Sequence, residues 1–157
     1  MPIYYEARVA KIEINPELEG LIDTEFDDAT GGIGEDARAA TARRWARAEA
    51  LVGADKRLDT LVADLLGHFD RRLEAMNGKA MIVCMSRSIA AKVYERIVAA
   101  RPEWHSDQDD AGAVKVIITG NAADAKELQP HIRSKARQEL LRNRYRKPED
   151  PLRLVIV

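Results

Sequence analysis

Three short runs of nearly unbroken apolar residues punctuate the second half of the chain: Ala80-Met81-Ile82-Val83-Cys84-Met85, Val114-Lys115-Val116-Ile117-Ile118-Thr119 and Leu152-Arg153-Leu154-Val155-Ile156-Val157. Runs of this kind belong to strands buried on both faces of a parallel sheet, and the β-branched content of the second strengthens that assignment. Between the first two runs, Ile89, Ala90, Val93, Tyr94, Ile97 and Val98 recur at helical spacing behind a capping Ser86, and Arg101-Pro102 stops the helix. Residues 103–112 then read as a polar loop. Between the second and third runs, Ser134 is placed to cap a helix with Ala136, Leu140, Leu141 and Tyr145 toward the sheet and its arginines outward. Pro148-Glu149-Asp150-Pro151 is the turn that follows. The order from Lys79 onward is β-α-β-α-β. Crossovers of this length make parallel neighbours with right-handed connections, which predicts an open α/β sheet with helices on its faces.

The first half carries a different period. Asn15-Pro16 suits a helix cap and first position, with Leu18, Ile22 and Phe26 following until Thr30-Gly31-Gly32 interrupts. Gly31-Gly32-Ile33-Gly34 follows acids rather than a strand and reads as a loop. An Ala/Arg segment over 35–52 holds Trp45 as a packing anchor. A stronger helix covers 55–76, with Leu58, Leu61, Val62, Leu65, Leu66, Phe69, Leu73 and Met76 on one stripe, and Asn77-Gly78 ends it. Residues 3–9 are a weak candidate strand. The predicted organisation is a mainly helical segment over 1–77 and a sheet domain over 78–157. Because the chain stops inside its last apolar run, we expect a fragment of a longer protein.

Composition narrows the class. With 157 residues and 46% hydrophobic content the chain is long enough to bury one sizeable core. No stretch approaches the roughly 20 apolar residues of a membrane span, so no membrane partner is expected. Met1-Pro2-Ile3-Tyr4 has neither the basic nor the apolar region of a signal peptide. The single cysteine, Cys84, lies within a strand, a pattern of reducing compartments that points to the cytoplasm. Net charge is −1, but it is unevenly spread. Every charged side chain over 13–36 is acidic, whereas 131–147 holds Arg133, Lys135, Arg137, Arg142, Arg144, Arg146 and Lys147 against Glu139. The basic stretch is either a solvated helix face or a set of phosphate contacts.

In open α/β sheets the functional loops leave the carboxyl ends of the strands. Here those ends deliver Ser86 and Arg87 after the first strand, and Thr119 and Gly120 after the second. Two hydroxyls, a guanidinium at a helix start and a glycine that admits close backbone approach suit phosphate binding rather than nucleophilic catalysis. No catalytic residue is assigned. The chain contains no G-x-x-x-x-G-K-[ST] and no G-x-G-x-x-G, so neither a nucleotide-hydrolase phosphate loop nor a dinucleotide fingerprint is present. His68, His105 and His131 have no second ligand at metal spacing and read as surface or helix residues; Cys84 reads as a small apolar strand residue.

Several segments taken together resemble a known family. Gly78-Lys79-Ala80-Met81-Ile82-Val83-Cys84-Met85-Ser86-Arg87, Ala100-Arg101-Pro102-Glu103-Trp104, Lys115-Val116-Ile117-Ile118-Thr119-Gly120, Gln129-Pro130-His131-Ile132-Arg133 and Asp150 through Val157 are similar to the second RecA-like domain in the motor (R) subunit of type I restriction enzymes. Pro2-Ile3-Tyr4-Tyr5-Glu6 and Glu49-Ala50-Leu51-Val52-Gly53 resemble the segment that joins the two motor domains there. The resemblance implies a RecA-like (P-loop NTPase-like) partial sheet within an ATP-driven double-stranded DNA translocase attached to an endonuclease. Ser86-Arg87 would end helicase motif IV, and Thr119-Gly120 the next strand end facing the nucleic-acid backbone. It implies DNA contacts through Ser86, Arg87, Thr119, Gly120 and the basic helix beginning near Arg133. It also implies ATP and Mg2+ as cofactors of the parent protein, with none bound by this segment alone. The implied partners are double-stranded DNA, the methyltransferase and specificity subunits, and the first RecA-like domain of the same protein. Two other readings stay open: the equivalent domain of another superfamily 2 DNA or RNA helicase, and a non-enzymatic α/β interaction module whose acidic half binds protein.

Overall fold

A computed structural model describes residues 46, 48–49, 51–120 and 122–157. The expectations for residues 1–45, among them the strand at 3–9, the acidic segment 13–36, the 31–34 loop and Trp45, lie outside the described residues. The chain divides into two compact units, Met1–Val52 and Gly53–Val157. In the first, described residues 46, 48, 49, 51 and 52 are helical.

The second unit opens with helix α1, Asp55–Ala75. Its buried residues Leu58, Val62, Leu66 and Phe69 recur at helical spacing, and Asp55 in the first turn and Arg72 in the last complement the helix dipole. The stripe packs against α2, Arg87–Ala100, so this helix shares a unit with the sheet. Ser86 caps α2 as the sequence implied, its Oγ accepting from the Ile89 backbone N–H at 3.2 Å. Ile89, Ala90, Ala91, Val93, Tyr94 and Ile97 are buried. Arg101 and Pro102 end the helix, and Pro102 starts a 3₁₀ turn to Trp104. Arg96 ties the two helices together through Asp59 at 2.7 Å and Asp55 at 2.6 Å, while Trp104 meets Phe69 edge-on at 6.2 Å.

Strands β1 (Ala80–Ile82), β2 (Val114–Val116) and β3 (Leu154–Ile156) form one parallel sheet in the order β1-β3-β2. Leu154 is level with both Ala80 and Val114, and Ile156 with both Ile82 and Val116. Last in sequence, β3 is central in space, and all of it is buried, as is all of β2. The regular ladder is shorter than the apolar runs. It nevertheless trails on toward the carboxyl edge, where the Cys84 N–H donates to the Val157 carbonyl at 2.7 Å and Ile118 forms a parallel bridge with Ile132.

Two expectations about burial are corrected. The first run is not covered on both faces: Met81, Val83 and Met85 are 55%, 77% and 40% exposed. β1 is an edge strand, and the helix over that face, α3 (Lys135–Arg146), packs through Leu141 onto Leu152 and Val155, with Ile117, Tyr145 and Val157 around them. Met81, level with Val155, lies beyond that cover. Secondly, α3 is rotated relative to its expected face. Ala136 and Leu140 are exposed, and Arg144 points inward with Leu141. Its guanidinium finds enough acceptors inside to remain buried, as described below. Ser134 caps this helix, accepting from the Arg137 N–H at 3.4 Å. Among the described residues no helix is long and apolar enough to cross a membrane.

Candidate nucleic-acid interface

Because the three strands are parallel, their carboxyl ends share one edge. Ser86 and Arg87 leave β1 there, and Thr119 and Gly120 leave β2; the structure brings these four residues together. Arg87 is the link. Its Nη1 donates to the Thr119 carbonyl at 2.8 Å and to Asp124 Oδ2 at 2.8 Å, and its Nη2 donates to Asp124 Oδ1 at 3.0 Å. The bidentate hydrogen bond to the Asp124 carboxylate holds the guanidinium firmly protonated. The Arg87 side chain stays 44% exposed, against 15% for Asp124.

Gly120 is required by space at this corner. A Cβ there would lie 2.6 Å from Asp124 Oδ2 and 2.6 Å from Ile132 Cδ1. Gln129 holds the far side of the turn, donating to the carbonyls of Asp124 at 2.8 Å and Ala122 at 3.3 Å. Asp124 escaped the sequence reading because it sits in Ala122-Ala123-Asp124-Ala125, a stretch with no motif or periodic signal.

Arg133 is placed differently from the other four. Its side chain is 5% exposed and bonds Asp109 at 2.5 Å, the Val116 carbonyl at 2.8 Å and the His131 carbonyl at 2.9 Å. It belongs to a set of inward cations beneath residues 105–112. Lys115, 1% exposed, donates to the carbonyls of Ser106 and Gln108, the latter at 2.6 Å. Arg144 donates to the carbonyls of Asp109, Ala111 and Gly112 and grips Asp150 through two nitrogens. Gly112 permits the tight approach with φ +81. Burial pushes the Lys115 ammonium below its usual range, and the Arg133 charge adds to this. Burial opposes ionisation of Asp109, but hydrogen bonds from Arg137 and Arg133 prevail and hold its carboxyl low.

His131, read as a surface or helix residue, ends the 3₁₀ turn Gln129–His131 but is only 7% exposed and lies edge-on to Tyr94 at 4.7 Å. Burial lowers its pKa to about 4, helped by the nearby charges of Arg133 and Lys115 and by His105. It is neutral at physiological pH. Cys84 is half-buried, and burial raises its thiol pKa, which suits its packing role.

The architecture is that of an open parallel α/β protein with phosphate-compatible groups along one sheet edge. Over 109 residues, 69% of this chain and 10% of the relative, the sequence is 46% identical to the type I restriction enzyme HindI endonuclease subunit of Haemophilus influenzae. Over the whole chain and 14% of the relative, it is 32% identical to the putative type I restriction enzyme MjaIXP endonuclease subunit of Methanocaldococcus jannaschii. The chain belongs to the family of type I restriction enzyme endonuclease subunits and spans only a small part of the length of these relatives. No family model matches it. No solved structure matches it either.

Proposed function

We propose that this chain is part of the DNA-translocating motor of a type I restriction endonuclease subunit, the second RecA-like domain, and that its sheet edge forms one stretch of the DNA track. The observation that supports this reading most is the convergence of Ser86, Arg87, Thr119 and Gly120 at the carboxyl edge of a parallel sheet, in a chain of this family. A guanidinium, a helix start and exposed backbone contact phosphate oxygens without reading bases. That suits a motor that must move over any sequence. Arg133, turned inward, acts in this reading by holding the 105–112 loop beside β2 rather than by touching DNA.

The parent protein would use ATP and Mg2+ and assemble with methyltransferase and specificity subunits. The residues of this chain do not themselves fit a nucleotide cradle. The phosphate loop is absent from the sequence, and among the described residues no group of three or more His, Cys, Asp or Glu is arranged to hold a metal ion. The segment therefore supplies at most one wall of the ATP cleft, and no hydrolytic step is assigned to it. The test is translocation along duplex DNA by the full endonuclease subunit in its holoenzyme. Arg87→Ala should slow movement, whereas Arg142→Ala, on the solvated face of α3, should leave the rate unchanged. Normal speed for Arg87→Ala defeats the proposal.

A further inference from the structure

We infer that Asp124 is a positioning residue for Arg87, setting the guanidinium so that one edge stays presented to a phosphate. The inference rests on the DNA-track reading above and adds to it a residue that no motif singled out. The hydrogen bonds decide the geometry. Asp124 takes one hydrogen from each terminal nitrogen, and the Thr119 carbonyl takes the other hydrogen of Nη1. What remains is the Nε–H and the second hydrogen of Nη2. These two share one edge of the planar guanidinium and point the same way within its plane, and no described residue accepts from them.

An arginine offering that pair of donors matches two oxygens of a phosphate, the same fork geometry used at its other end for the carboxylate. Without Asp124, Arg87 would sweep many rotamers from the first turn of α2. With it, the donors are oriented before the ligand arrives.

An acidic neighbour of a phosphate-binding arginine has two other conceivable roles, and the surroundings argue against both. As a competitor that must swing away, Asp124 would need room. Instead it is 15% exposed, its oxygen lies where a Gly120 side chain would stand, and its backbone carbonyl is held by Gln129. As a purely structural ion pair it would have no need of an arginine left 44% exposed with one edge open; compare Arg133, whose pair with Asp109 is sealed at 5% exposure.

The experiment uses the full-length endonuclease subunit carrying this sequence, with a non-specific DNA duplex as probe. Binding is measured across a salt series, alongside translocation rate and thermal melting. Arg87→Ala should weaken binding about tenfold, the scale of one charge-assisted contact, and reduce the slope of log affinity against log salt by about one phosphate. Asp124→Ala should produce the same loss and the same change in slope, although it removes a negative charge. The double variant should be no worse than Arg87→Ala alone, because both act through one contact. Asp124→Asn, which keeps an acceptor in place, should recover part of the loss; it also carries the test if Asp124→Ala does not fold.

A lower melting temperature with salt slope and rate unchanged would assign Asp124 a structural role and overturn the inference. Tighter binding by Asp124→Ala would make it a competitor and overturn it equally. Normal binding and movement by Arg87→Ala would instead remove the DNA-track reading, and this inference with it.

Discussion

Two arginine-centred corners of this unit use one chemistry for opposite ends. At the 105–112 loop, Arg133 and Arg144 are nearly sealed, with side chains 5% and 8% exposed, and they pair with Asp109, Asp150 and a row of backbone carbonyls. At the sheet's carboxyl edge, Arg87 has a bidentate carboxylate too, but remains 44% exposed. Burial separates the roles. A cation removed from water must be met by acceptors on all sides, so it becomes part of the scaffold; one that keeps water on one side retains donors to exchange for a ligand.

The largest effect that would sharpen this contrast is expected at Arg144. Arg144→Ala takes the buried guanidinium from three loop carbonyls and from Asp150, which keeps only the Leu152 N–H, and should lower unfolding free energy by about 3–5 kcal/mol in denaturant titration. A loss near zero would mean that the inward cations are not the scaffold.

Next comes pH. His131 is neutral in the fold, with its pKa lowered to about 4 from 6.5. Between those values the unfolded chain binds the extra proton, so stability is complete above pH 6.5 and falls as pH drops toward 4, by about 3 kcal/mol. Asp109 and Asp150, both held low by arginines, lose their contribution further down, as pH falls through their lowered values. His131→Phe should flatten the upper part of that profile in melts across pH. An unchanged slope would place the proton elsewhere.

Gly120→Ala probes the open corner. Its Cβ would fall 2.6 Å from both Asp124 and Ile132 side-chain atoms, costing about 1–3 kcal/mol. Because it also displaces the carboxylate that holds Arg87, DNA affinity should fall along with stability. Stability lost with affinity intact would separate the turn from the binding edge.

The smallest effect is expected at Arg142, paired with Glu139 at 2.5 Å on an exposed helix face. Arg142→Ala should change stability by no more than about 0.5 kcal/mol, since exposed ion pairs contribute little. A loss comparable to that of Arg144→Ala would erase the distinction drawn between inward and outward cations.

Sequence alone carried the α/β class, the three strands, both capping serines, the limits of α2 and the four residues of the sheet edge. These are legible because periodicity, caps and strand ends are local, and parallel topology follows from the crossover lengths. Strand order was not local: the last strand lies between the other two, leaving β1 at an edge with Met81 and Val83 open. Nor was the fate of the basic stretch. Arg133 and Arg144 look like their neighbours Arg137 and Arg142 in a list of charges, yet they turn inward because the distant 105–112 loop offers them carbonyls and a carboxylate. Asp124 acquires meaning only when the turn after β2 folds back onto the start of α2, 37 residues away. Sequence patterning decided which residues make elements; only tertiary packing decided which charges would meet acceptors and which would keep water.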